Sequence, residues 1–209
     1  MEAKDGAKLR ALSCEEIAER ADLSLVPAGL RASAIHRLAD RDHGFLGYAG
    51  DEHRLRIVAH NVALLRDLGL YEASLLCALI GVRVNLSGIP PDALAMLVGW
   101  ADRGALLAAG TPLPGPGPFT LYRGVGGVGR ARRIRGLSWT ANRDRAEWFA
   151  SRASLFRLKD AAVYRAVVPR ELVLAYVTAR EEDEYLVLMP RGFPVERETP
   201  PNQTGRPPR

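Results

Sequence analysis

Cysteine is nearly missing from this chain: Cys14 and Cys77 stand alone, too few for a disulfide framework and without the spacing of a zinc or redox motif. Cys77, inside Ser74-Leu75-Leu76-Cys77-Ala78-Leu79-Ile80, reads as a core thiol. Histidine is scarce as well. His36, His43, His53 and His60 fall in or near one N-terminal helical region, and even His53 and His60, which can share a helix face, lack close ligand spacing. No metal site is expected. No uninterrupted apolar run is long enough to span a bilayer, and no basic-plus-apolar leader opens the chain. The expectation is a cytoplasmic protein with no membrane partner, export by a machine that needs no N-terminal signal remaining open. No internal repeat is apparent.

What is there is enough for a sizeable core in one or two small domains: 209 residues, 47% of them hydrophobic. The net charge of +5 is modest and comes largely from arginine. Its densest cluster is Arg130, Arg132, Arg133 and Arg135, which follows a glycine run and is expected to be mobile. Such a loop either attracts phosphates, an acidic protein surface or nucleic acid, or is simply solvated.

Residues 1–110 read as mainly helical. Ser13-x-x-Glu16 is a capping box that opens a short helix. Leu55, Val58, Ala59, Val62, Leu65 and Gly69 follow helical spacing, which predicts one amphipathic helix from about Asp51 to Leu68. A more buried helix is expected over Tyr71 to Ile80. Pro90-Pro91-Asp92 precedes another, running to about Arg103 or a little beyond. Gly110-Thr111-Pro112-Leu113-Pro114-Gly115-Pro116-Gly117-Pro118 cannot continue a helix and marks the main boundary. Beyond it, residues 117–198 read as short strands around one helix: Phe119–Arg123, Leu137–Thr140, Val163–Val168, Leu172–Val177 and Glu184–Met189. The tail, 199–209, has no apolar anchor and is expected to be mobile. The fold class is therefore α+β.

Three motifs in the strand-rich part carry chemistry. In Glu182-Asp183-Glu184 an extended backbone puts Glu182 and Glu184 on one face and Asp183 on the other. Tyr185 to Met189 then forms a short apolar run, so the carboxylates stand at the mouth of a buried strand. A carboxylate held there suits a reaction that builds positive charge on a sugar, and a second on the same face can orient or deprotonate an acceptor. A solvated acidic turn is the plain alternative. Arg123 ends the strand Phe119-Thr120-Leu121-Tyr122-Arg123, with Gly124 after it leaving room for a phosphate that the guanidinium would grip. In Leu137-Ser138-Trp139-Thr140, Ser138 and Thr140 share one face of a strand. The helix after it, from about Asn142 to Ala150, can be capped by Thr140 or Asn142 and has Ala146, Phe149 and Ala150 as its apolar face.

Arginine, then hydroxyl–aromatic–hydroxyl, then glutamate–x–glutamate, in this order, resembles the signature of the arginine–serine–glutamate class of mono-ADP-ribosyltransferases, of the toxin-like or phage-like bacterial kind. The resemblance covers roughly residues 117–198. It implies two small packed sheets holding NAD as substrate, with Arg123 on phosphate, Ser138 positioning the ribose, and Glu184 as the catalytic carboxylate. Tyr122, Gly124 and Thr140 would line the NAD site, and Tyr122 and Trp139 are possible walls for nicotinamide, each as well suited to core. Glu182 completes the glutamate–x–glutamate form, which implies a protein arginine as acceptor. Nucleic acid is the alternative acceptor, and a non-catalytic nucleotide- or protein-binding module is the alternative from another class. Residues 1–110 either complete the fold or form a separate acceptor-recognition or regulatory module. Gly124-Val125-Gly126-Gly127-Val128-Gly129 matches G-x-G-x-x-G, but it runs into an arginine-rich loop instead of a helix, so a Rossmann turn is rejected.

Overall fold

The structure, a computed structural model, describes residues 11–80, 90–128, 133–155, 159–178 and 183–198. Its contacts divide the chain into two compact units, Met1–Ala109 and Gly110–Arg209. Helix and antiparallel sheet together make it α+β.

The first unit is helical. Helix α1 (Cys14–Arg20) opens on the capping box, Ser13 accepting from the Glu16 backbone and Glu16 from the Ser13 backbone. Helix α2 (Arg31–Ala39), which the sequence pattern did not single out, buries Ala34 and Leu38. The single helix expected from Asp51 to Leu68 is instead two, α3 (Asp51–His60) and α4 (Val62–Asp67). The break is at Asn61, a buried residue whose carboxamide has other work. It accepts from the Asp22 N–H at 2.7 Å and donates to the Asp22 carbonyl at 2.9 Å and the Ile57 carbonyl at 2.8 Å. Asparagine competes with the helix for backbone groups in this way. Replacing Asn61 with Ala removes all three bonds, one of them to the carbonyl of the buried Ile57, and should cost about 2 kcal/mol, read as a lower urea midpoint for the full chain. An unchanged midpoint would mean that water replaces the carboxamide.

Helix α5 (Tyr71–Ile80) is apolar nearly all round and buries Tyr71, Ser74, Leu75, Leu76, Ala78 and Leu79. Cys77 is half-buried, and burial pushes its thiol up from the ordinary range. Tyr71 donates to the Leu97 carbonyl at 2.7 Å, tying α5 to α6 (Pro91–Trp100). Helix α6 stops at Trp100, short of the expected Arg103. Ala101 is extended, and Asp102 caps a further helix, α7 (Arg103–Ala108), accepting from the Ala105 N–H at 2.8 Å.

The second unit is built on β1 (Phe119–Val125), β2 (Ser138–Thr140), β3 (Ala162–Val168), β4 (Val173–Val177), β5 (Glu184–Val187) and β6 (Glu196–Arg197). Among the described residues they form one sheet in the order β4-β5-β2-β1-β3-β6, neighbours antiparallel. The two packed sheets of the sequence reading are thus one hydrogen-bonded sheet here, nearly divided at a seam. Strand β1 pairs with β3 along its whole length, but among the described residues it pairs with β2 only at Tyr122↔Thr140. One face is a core of Phe119, Leu121, Val125, Trp139, Tyr164, Val168, Tyr185 and Val187. Helix α8 (Arg143–Leu155) covers part of the other, where Ala146 and Ala150 pack with Val163 and Tyr122.

Candidate active site

Strand order makes β1, β2 and β5 neighbours, so the arginine, serine and glutamate motifs fall in one block of sheet. Across it runs the row Tyr122↔Thr140↔Glu184. Ser138 pairs with Leu186, two residues along β5 from Glu184. Ser138 and Glu184 therefore share a face as diagonal neighbours, a geometry that sets side chains roughly 7 Å apart. Ser138 is exposed and Glu184 half-buried.

Alternation alone would send Arg123 to the opposite face, yet its guanidinium lies in the seam. Beyond Tyr122↔Thr140 the β1–β2 ladder does not continue. The Ser138 carbonyl that would meet Gly124 accepts instead from Nη1 of Arg123, and the Arg133 carbonyl accepts from Nε at 3.4 Å. Gly136 closes the berth: a Cβ there would overlap Nη2 and lie 2.6 Å from Cζ. Burial pulls the Arg123 guanidinium down to about 10, against the opposing pull of the Glu184 charge. It remains a cation at neutral pH. Among the described residues, two of its five N–H groups are spent on these carbonyls, which leaves donors for an anion.

Three residues expected at the site have structural duties. At Gly124 the space where a side chain would stand belongs to α8. A Cβ at Gly124 would overlap the Ala146 carbonyl oxygen and lie 2.5 Å from the Ala150 nitrogen. Trp139 is fully buried in the core and donates to the Gly136 carbonyl at 2.8 Å, so it walls no ligand. Thr140 is buried, and its hydroxyl accepts from the Asn142 N–H at 3.0 Å. Asn142 is the cap of α8, accepting from the Arg145 N–H at 3.0 Å. Tyr122 is half-buried beside α8.

Glu182, Arg130, Arg132 and the tail 199–209 lie outside the described residues. Arg135, at the end of the arginine cluster, donates from its guanidinium to the Phe193 carbonyl at 2.9 and 3.3 Å. Phe149 also departs from expectation. It faces outward at 39% exposure, because the small Ala146 and Ala150 bring the α8 backbone against β1. Beside it stands Trp148, 43% exposed, with the guanidinia of Arg145 and Arg152 at 5.0 and 4.6 Å from its ring. Among the described residues no cluster of histidine, cysteine and carboxylates could hold a metal ion, and no helix is long and apolar enough to cross a membrane.

Sequence reasoning missed Gly136, which reads as an ordinary turn glycine in Arg135-Gly136-Leu137. Against known proteins, the chain matches no family model, no curated protein and no solved structure.

Proposed function

We propose that residues 117–198 are the catalytic core of an NAD-dependent mono-ADP-ribosyltransferase that modifies a macromolecule, with a protein arginine as acceptor. The observation that carries this reading is the seam: a half-buried cationic guanidinium between β1 and β2, with Ser138 and Glu184 as diagonal neighbours beside it. An anion, a sugar hydroxyl and a developing cation each find a matching group there. In this reading the free N–H groups of Arg123 grip the pyrophosphate of NAD. The Ser138 hydroxyl orients the ribose of the nicotinamide half. The bond from ribose C1′ to the nicotinamide nitrogen breaks, nicotinamide leaves with the bonding pair, and Glu184 stabilises the oxocarbenium-like sugar. The acceptor nitrogen then forms the new bond to C1′ and its proton passes to Glu182, the role that the resemblance gives that residue.

A second acceptor reading, nucleic acid, is favoured by one observation. Trp148 and Phe149 are exposed beside Arg145 and Arg152 on α8, a combination suited to bases and phosphates. One experiment tests both. The full chain is incubated with NAD labelled in the adenylate and a whole-cell lysate, and the labelled product is treated with protease or nuclease. The expected outcome is nicotinamide release with label that protease removes from the macromolecular fraction. Nuclease-sensitive label would move the acceptor to nucleic acid. NAD left intact in every arm would sink the transferase reading itself.

A further inference from the structure

Glu184 is the first residue of β5, a position where strands fray. Its backbone is flanked by Val177 of β4 on one side and Thr140 of β2 on the other. The residue before it is tied as well. The Tyr176 hydroxyl donates to Asp183 Oδ1 at 2.7 Å. Tyr176 sits directly opposite Tyr185, so Asp183 is its diagonal neighbour on the core face, while Glu184 leaves by the other face.

The group that makes this tie is itself well held. The Tyr176 ring is 7% exposed and stands 4.7 Å from the Tyr185 ring, which in turn stands 5.2 Å from Phe119. On the outer side of β4, the Thr111 N–H donates to the Tyr176 carbonyl at 2.7 Å, and the Thr178 N–H reaches the Thr111 hydroxyl at 3.4 Å. Burial, and then the Asp183 carboxylate, push the Tyr176 hydroxyl up to about 12. It stays a proton donor across the pH range of ordinary assays. Asp183 is otherwise exposed, and nothing in its sequence setting calls for order.

We infer that Tyr176 and Asp183 form a positioning pair, which fixes the start of β5 so that the Glu184 carboxylate leaves the strand in one direction. The inference rests on the proposed NAD chemistry and adds to it a requirement from the far face of the sheet. A hydrogen bond on one face of a strand holds the backbone, and the backbone aims the side chain on the other. Reacting groups tolerate little misplacement, so loosening this start should act on turnover before it acts on NAD binding.

The test uses the full-length protein and steady-state nicotinamide release from NAD, with the thermal midpoint of each variant as control. Tyr176→Phe keeps the ring stack and deletes one hydrogen bond. It should lower kcat about tenfold with KM for NAD within about twofold. Asp183→Ala should do the same, and the double variant should be no worse than either, because both remove one interaction. Asp183→Asn is the rescue: its carboxamide oxygen still accepts from the Tyr176 hydroxyl, so kcat should return to within about threefold of the native value. A native kcat in Tyr176→Phe would overturn the inference. So would an Asp183→Asn variant as slow as Asp183→Ala, since the aspartate would then act by its charge. If the unaltered protein releases no nicotinamide, the transferase reading fails. If it does and Tyr176→Phe matches it, only the positioning pair fails.

Discussion

Glu184→Gln should lower NAD turnover on the order of 100-fold or more while changing NAD affinity much less. The carboxamide keeps the shape of the side chain and the place of residue 184 between Val177 and Thr140. What it removes is the charge, which in the proposed transfer matters more as the sugar becomes cationic than it does in bound NAD. Its loss also withdraws the favourable field that Glu184 exerts on the half-buried guanidinium of Arg123. Burial lowers Arg123 only to about 10, so it remains protonated at neutral pH and the proposed grip on phosphate would survive. The measurement is a comparison of kcat with the dissociation constant for NAD from equilibrium binding. A variant that turns over NAD at the native rate would remove Glu184 from the chemistry. One that loses binding and turnover in equal measure would make it a ground-state contact.

Gly124→Ala should produce the largest loss of stability of any single methyl addition considered in the second unit, about 3 kcal/mol. The new Cβ would meet backbone, the Ala146 carbonyl oxygen and the Ala150 nitrogen, and neither can rotate aside as a flexible side chain would. Either α8 lifts from β1 or β1 bends, and both separate Ala146 and Ala150 from Val163 and Tyr122. Chemical denaturation followed by far-ultraviolet circular dichroism reads the loss directly. A methyl at Gly136 makes a useful contrast, since it would meet the guanidinium of Arg123, a group at the end of a longer side chain. Native stability in Gly124→Ala would show that α8 does not rest on β1 at this point.

Much of the second unit was legible in the sequence. The β-rich stretches at Phe119, Val163 and Leu172, closed by Pro118 and Pro169, became β1, β3 and β4 within one or two residues at each end. Alternation correctly put Ser138 and Thr140 on one face and Trp139 on the other; the capping rules found Ser13, and for α8 they left Thr140 and Asn142 open, of which Asn142 is the cap. What the sequence hid depends on contacts between distant segments. Asn61 is acceptable inside a helix until Asp22 arrives to claim its carboxamide. Phe149 has the spacing of a buried residue, but closeness of α8 to Gly124 gives the inner face to two alanines. Arg123 was readable as a candidate anion ligand. Its place in the seam was not, because no local pattern tells where two paired strands part company.

The same seam sets how the sheet yields. Strand β2 holds β5 by three residue pairs and β1 by one, so of its two borders the one toward β1 has the least ladder to break. Arg123 spans that border with a side chain, and a side chain can let go of a carbonyl without undoing a strand. The sheet can therefore part at this border by releasing one side chain, with the β1–β3 ladder on one side and the β2–β5 ladder on the other left whole.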